Sequence, residues 1–171
     1  MNRLFQASVI ENKKLIEKHY LLTLHPLEKI KGPKPGNFFM VSVENGLDPL
    51  LRRPISIHRR LNGDFQLLYR VAGKGTSILS RKKPGDILEI LGPLGNGFPL
   101  NIKSKNIILV AGGLGIAPIF ALAEFFSKRN PALYYGARTI NELLCTEELK
   151  AIGIDQVIAT DDGSSGKKGN I

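Results

Sequence analysis

Leu51-Arg52-Arg53-Pro54-Ile55-Ser56-Ile57 puts a fixed positive charge and a hydroxyl on one short extended segment. Strand alternation sends Arg53, Ile55 and Ile57 to one face and Pro54 and Ser56 to the other. Pro54 has no N–H to give to a ladder, so the segment reads as an edge strand or the start of a strand, its backbone free for another partner. These residues alone leave two readings open, an edge strand with a solvated arginine pair or a ligand-binding strand.

A second stretch decides between them. Leu68-Tyr69-Arg70-Val71-Ala72-Gly73-Lys74-Gly75-Thr76-Ser77 ends a strand in glycines and a hydroxyl residue at a helix start. Unpaired backbone N–H groups of that kind hold phosphate. A polar turn at Leu61-Asn62-Gly63-Asp64 folds the two strands into a hairpin, which brings Arg53 to Ser56 near Leu68 to Arg70. Arg-Pro-Ile-Ser, Tyr-Arg-Val and Gly-x-Gly-Thr together resemble the flavin-binding signature of the ferredoxin reductase superfamily. They are closer still to its branch of electron-transfer subunits from dihydroorotate dehydrogenase B complexes.

Outward from this hairpin, residues 3–10 and 19–25 read as strands separated by a polar turn at Glu11-Asn12-Lys13-Lys14, with His19 and His25 at strand edges. Gly32-Pro33-Lys34-Pro35-Gly36 must be a turn. It launches a strand over 37–43, and Pro35-Gly36-Asn37-Phe38 is similar to the Pro-Gly-Gln-Phe strand start of the superfamily, with Asn37 for Gln. Turns at Asn45-Gly46 and Asp48-Pro49 precede the opening stretch. A helical turn near 76–80, the turn Lys82-Lys83-Pro84-Gly85-Asp86 and a strand over 87–90 complete a six-stranded antiparallel barrel over residues 1–101. Gly92-Pro93-Leu94-Gly95-Asn96-Gly97-Phe98 resembles the segment that closes the flavin barrel in the same branch.

The pattern changes after Asn101. The apolar run 106–111 predicts a strand buried on both faces. It meets Gly112-Gly113-Leu114-Gly115-Ile116-Ala117-Pro118, where Pro118 fits a first helical turn and Ile119, Leu122, Ala123 and Phe126 form an apolar stripe. A second strand over 132–135, a helix over 139–150 and a third strand over 156–160 follow. Strand, glycine turn and helix open a dinucleotide-binding βαβ unit, so residues 102–171 read as a partial Rossmann-like parallel α/β domain. Pro118 stands where the G-x-G-x-x-G fingerprint has its third glycine. The Gly-Gly-x-Gly-x-Ala-Pro turn is nonetheless similar to the nicotinamide-dinucleotide turn of the superfamily. Arg138 is either a dinucleotide contact or a solvated strand end.

The resemblance implies an FAD site and an NAD site. Arg53 pairs with the pyrophosphate, Gly75 and Thr76 add donors to it, and Ser56 sits at the reactive edge of the flavin as the catalytic residue. Pro54 and Ile55 belong to the same site, with Leu68, Tyr69 and Arg70 along the ring or ribityl chain. Ile55 stands where much of the superfamily stacks a tyrosine. Gly112, Gly113, Gly115, Ala117 and Pro118 take NAD. The implied partner is an FMN-containing dihydroorotate dehydrogenase catalytic subunit in a hetero-oligomer of pyrimidine biosynthesis. Two rival readings are another ferredoxin-reductase-like subunit, linked to a hydrogenase, sulfite reductase or ferredoxin, and a non-catalytic flavin-binding module. The branch also has a four-cysteine segment for a [2Fe-2S] cluster and two further strands, so these 171 residues read as the first two-thirds of its architecture.

Composition narrows the classes. The chain has one cysteine, Cys145, which excludes internal disulfides, and three scattered histidines, which argue against a zinc site. In its helix-like run Cys145 reads as a small buried hydrophobe rather than a nucleophile. The net charge of +9 is concentrated before residue 102, where sixteen Lys and Arg face eight Asp and Glu. That field suits phosphate ligands or an acidic partner. Nucleic acid is disfavoured because the charges are dispersed and no zinc finger, basic helix or aromatic RNA motif is present. No stretch approaches the ~20 apolar residues of a membrane span, and the expected location is the cytoplasm.

Overall fold

The computed structural model describes residues 3–44, 46 and 48–171. The expected turn at Asn45-Gly46 therefore lies partly outside the described residues. The chain divides into two compact units, Met1–Gly97 and Phe98–Ile171.

The first unit is a closed antiparallel barrel. Its strands are β1 (Arg3–Ile16), β2 (His19–Pro26), β3 (Phe38–Val41), β4 (Arg53–Arg60), β5 (Phe65–Arg70) and β6 (Ile87–Leu94), in the order β1-β2-β5-β4-β3-β6. Closure removes both sheet edges, so β4 is not an edge strand. It lies between β3 and β5, and Pro54 is accommodated near the strand's start, opposite Met40. The turn expected at 11–14 is strand. Asn12, Lys13 and Lys14 pair with Leu22, Leu21 and Tyr20, and bulges at Val9/Glu11 and Lys14/Ile16 absorb the irregular pattern that obscured the register.

The interior is a single apolar cluster that includes Phe5, Leu22, Leu24, Ile55, Ile57, Leu67, Tyr69 and Ile90. At its centre the rings of Phe39 and Phe65 lie 4.6 Å apart, with Phe5 edge-on to Phe39 at 5.9 Å. Gly92 is required here, since a Cβ would come within 2.5 Å of the Phe39 ring. A short helix, α1 (Lys74–Leu79), follows β5 and buries Leu79 in the same cluster. Asn12 fixes its far end, donating from Nδ2 to the carbonyls of Leu79 at 2.8 Å and Lys82 at 3.2 Å.

The second unit is a parallel sheet in the order β10-β9-β8-β7, built from β7 (Ile108–Gly112), β8 (Ala132–Ala137), β9 (Gln156–Thr160) and β10 (Lys167–Lys168). The two-residue β10 is too short to leave a sequence pattern. Helix α2 (Ile116–Phe126) packs against β7 and buries Ile116, Phe120, Ala123 and Phe126. Ile119 of the expected stripe is only half-buried, and Phe120 takes the buried place.

Two expectations fail in this unit. The run 106–111 is not buried on both faces: Leu109 and Ala111 are buried, while Ile108 is 66% and Val110 58% exposed. Tyr134 and Val157 share their face, because Val110 pairs with Tyr134 and Tyr134 with Val157. The helix expected over 139–150 breaks in two, a 3₁₀ turn at Ile140–Glu142 and α3 (Thr146–Ala151). Leu143 turns extended and Cys145 adopts φ +60°, because the buried Leu144 N–H is drawn to the Tyr135 hydroxyl at 2.9 Å.

The aromatic centre carries the barrel's packing, so Phe39→Ala should lower its unfolding free energy by about 3–5 kcal/mol. Urea denaturation followed by tyrosine fluorescence measures this, and a loss below about 1 kcal/mol would show that the ring cluster does not hold the barrel.

Candidate functional site

The β4–β5 ladder runs from Arg60↔Phe65 through Arg59↔Gln66 to Ile57↔Leu67 and stops there. Beyond it, residues 53–56 pair with β3, and residues 68–70 pair with β2. The two stretches singled out in the sequence therefore part from each other where the hairpin continues. A bulge at His58 marks the change of register.

Arg53 stands at the mouth of this opening, and its neighbour does not. Arg52 is ion-paired with Glu89. Arg53 donates from Nη1 to the Leu51 carbonyl at 2.6 Å and has no carboxylate partner among the described residues. Its guanidinium lies over Gly75. A Cβ on Gly75 would fall 2.7 Å from Cζ and 2.8 Å from Nη2, so any side chain there would displace the arginine. The tight turn between β5 and α1 and a cation lacking an acidic partner are thus packed against each other, a donor set suited to phosphate.

The remaining flavin candidates divide by face. Pro54, Ser56, Leu68 and Arg70 lie on the outer face of the strands. Pro54 and Arg70 are exposed, Ser56 is half-buried, and Leu68 is buried. The Ser56 hydroxyl has no hydrogen-bond partner among the described residues. Ile55 and Tyr69 turn inward into the core cluster. Tyr69 stacks on Tyr20 at 5.6 Å and donates to Asn12 Oδ1 at 3.1 Å, and burial pushes its phenol well above the ordinary range. Its ring is thus committed to the barrel interior. The Thr76 hydroxyl is also occupied: it accepts the N–H of Ala72 at 2.9 Å and of Gly73 at 3.2 Å, and so shapes the turn.

Asn37 is a site-shaping residue whose role the sequence does not show. It is buried, accepts the Lys34 N–H at 2.8 Å, and donates to the carbonyls of Leu94 at 3.0 Å and Gly95 at 2.8 Å. Its own carbonyl accepts the Ile57 N–H at 2.9 Å, next to Ser56. This residue thereby ties the start of β3 to the segment closing the barrel through its side-chain amide and to the middle of β4 through its backbone carbonyl.

In the second unit, β7 ends at Gly112, Gly113–Gly115 makes a 3₁₀ turn, and Ile116 begins α2. Ala117 is buried and Pro118 occupies the first turn, as its missing N–H allows. Gly113 has φ +48°, a conformation that favours glycine. No atom lies within 4 Å of where a Cβ would stand on Gly112, Gly113 or Gly115. Internal packing therefore does not demand glycine at 112 or 115, and the open space above them suits an approaching ligand backbone. Arg138 is exposed, with Glu142 at 3.8 Å.

Among the described residues no group of three or more His, Cys, Asp or Glu is placed to hold a metal, and no helix is long and apolar enough to cross a membrane. Burial, and secondarily the Glu148 charge, push the Cys145 thiol up to about 12.

A barrel opened at one hairpin, followed by a parallel sheet with a glycine turn at its first strand, defines a ferredoxin-reductase-like flavin and nicotinamide-dinucleotide fold. The solved structure of an NADH-dependent reduced ferredoxin-NADP oxidoreductase, studied for flavin-based electron bifurcation, matches 95% of the chain and 59% of its own, at 30% identity and TM-score 0.82. The ferredoxin reductase of carbazole 1,9a-dioxygenase, 20% identical with TM-score 0.83 over 98% of the chain and 54% of its own, shares the fold. No family model matches the chain.

Curated relatives are more specific. The chain is 39% identical over its whole length to the dihydroorotate dehydrogenase B (NAD(+)) electron transfer subunit of Desulforamulus reducens, spanning 67% of that protein. It is 38% identical to the same subunit of Bacillus caldolyticus, over 97% of the chain and 66% of the relative. The chain belongs to the family of dihydroorotate dehydrogenase B electron-transfer subunits and spans about two-thirds of the length of these relatives.

Because the thiolate is the reactive form, Cys145 should react with iodoacetamide at pH 8.5 at least a hundredfold more slowly in the native protein than in denaturant. The raised thiol pKa contributes stability that is fully present below the unfolded value near 9 and is lost as pH rises toward 12. Equal alkylation rates in the two states would show that the thiol is not buried.

Proposed function

We propose that the barrel binds FAD, that the α/β unit binds NAD, and that the chain is the flavin-bearing electron-transfer component of a dihydroorotate dehydrogenase B. Its partner is the FMN-containing catalytic subunit, where dihydroorotate is oxidised, in a cytoplasmic hetero-oligomer of pyrimidine biosynthesis. The observation that carries the reading is Arg53, without a carboxylate partner among the described residues, held over Gly75 at the opening between β4 and β5.

Bound flavin supplies the exchange between hydride and single-electron transfer that no side chain can perform. The chain's own residues do the rest. Arg53 neutralises the pyrophosphate with a planar, permanently charged fork. Gly75 lets the backbone come close, and Thr76 holds the turn in shape. Ser56, its hydroxyl without a partner among the described residues, is the candidate to hydrogen-bond the reactive edge of the ring. Leu68 and Arg70 flank it on the same outer face. Ile55 and Tyr69 support the strands from within. At the second site Gly112, Gly113 and Gly115 offer backbone to the dinucleotide pyrophosphate at the start of α2, and Ala117 and Pro118 form that first turn. The single thiol of Cys145 cannot supply the four thiolates of a [2Fe-2S] cluster, so the family's cluster needs thiolates from outside these 171 residues.

Adjacent arginines make the decisive comparison. Arg53→Ala should weaken FAD binding by about 1.5–3 kcal/mol, as for loss of a charged hydrogen-bond donor. Arg52→Ala, which removes a half-exposed ion pair, should cost less than about 1 kcal/mol of stability and leave flavin affinity unchanged. Quenching of flavin fluorescence on titration with each variant measures both affinities. Equal effects, or none at Arg53, would remove the pyrophosphate role. Ser56→Ala should retain flavin but slow its reduction by NADH, read by stopped-flow absorbance.

A further inference from the structure

The hydroxyl of Tyr135 is the most connected buried polar group of the second unit. Tyr135 lies in β8 and is fully buried. Its hydroxyl accepts the Leu144 N–H at 2.9 Å and is 3.2 Å from the Gly113 carbonyl and 3.4 Å from the Glu142 carbonyl. A phenol has one proton, so the two carbonyls share it, while the oxygen takes the Leu144 N–H. One atom thus joins the glycine turn after β7 to the loop after β8. Both segments need such an anchor: Gly113 sits at φ +48°, Cys145 at φ +60°, and neither belongs to a regular ladder.

Neighbouring contacts extend the tie. The Ile140 N–H donates to Ser164 Oγ at 2.8 Å, and the Asp161 N–H to the Ala137 carbonyl at 3.1 Å. The segments following β7, β8 and β9, at the carboxyl ends of parallel strands where α/β sheets bind their ligands, are therefore hydrogen-bonded in series. Tyr135 is the link that reaches the glycine turn.

We infer that Tyr135 is a positioning residue for the dinucleotide site, its hydroxyl holding the Gly113 peptide so that the N–H groups of the turn are set for a pyrophosphate. The inference rests on the NAD reading above. Tyr135 does not touch the dinucleotide. It acts through Gly113, and its ring fills the core whether or not the hydroxyl is present. Removing only the oxygen separates the two roles.

The test is Tyr135→Phe in the full 171-residue chain, with NADH affinity from isothermal titration, FAD retention from absorbance, and amide hydrogen exchange. Positioning predicts NADH binding weakened about five- to tenfold, FAD retention unchanged, and faster exchange at Leu144 and across 113–116. A merely structural role would instead lower the melting temperature with NADH affinity unaltered at temperatures where the variant is folded, which would overturn the inference. Equal affinity and equal exchange would overturn it too. If the unsubstituted chain binds no NADH, the dinucleotide reading falls and takes this inference with it. Tyr135→Leu, which also removes ring volume, gives the unfolding control.

Discussion

A closed barrel leaves no strand edge free, and the interruption of the β4–β5 ladder beyond Ile57↔Leu67 is where this one leaves backbone unpaired between neighbouring strands. Up to that pair the hairpin is ordinary antiparallel sheet. Past it, each strand keeps only its outer neighbour, β3 for Arg53–Ser56 and β2 for Leu68–Arg70. Backbone groups on the facing sides are released from the barrel at the place where Arg53, without a carboxylate partner among the described residues, and a glycine turn converge. The bulge at His58 and the proline at 54 serve the same end, since neither suits an uninterrupted ladder.

The two glycine-bearing turns differ in what makes glycine necessary. At Gly75 the reason is internal, for the Arg53 guanidinium occupies the space of a side chain. At Gly112 and Gly115 nothing in the unit fills that space. The first turn is a packed arrangement whose cation comes from the protein itself. The second is left open and brings backbone N–H groups. Side-chain charge and backbone dipole, two different means of attracting an anion, are thus offered by separate units of one chain.

Much of this was legible because it is local. Arg53, Pro54 and Ser56 follow one another, and period-two alternation is enough to put Ile55 and Ile57 inside. Glycine, proline and hydroxyl residues mark both turns. What was not legible depends on partners distant in sequence. Arg52 and Arg53 are indistinguishable until Glu89, in another strand, takes one and leaves the other. Tyr69 reads as a ring contact until Asn12 and Tyr20 draw it inward. The helix expected over 139–150 breaks at Leu143–Cys145, where the Leu144 N–H bonds the buried Tyr135 hydroxyl, a partner set by tertiary packing. The apolar run of β7 gives no sign of which face is bare, because alternation is hidden when both faces carry aliphatic residues.

Buried or half-buried polar side chains that are not ligand candidates link these features. Asn12 holds the end of α1 and the Tyr69 hydroxyl, and Asn37 holds the start of β3 and the close of β6 by its side chain and the middle of β4 by its backbone carbonyl. Tyr135 does the same for the loops of the second unit. A buried donor or acceptor left unmatched costs about 1–3 kcal/mol, more than the net gain from one well-made bond. Such residues therefore penalise alternative loop arrangements more strongly than they stabilise the native one. That asymmetry gives an otherwise irregular turn a single conformation, so the precision of both candidate sites depends on residues beyond the candidates themselves.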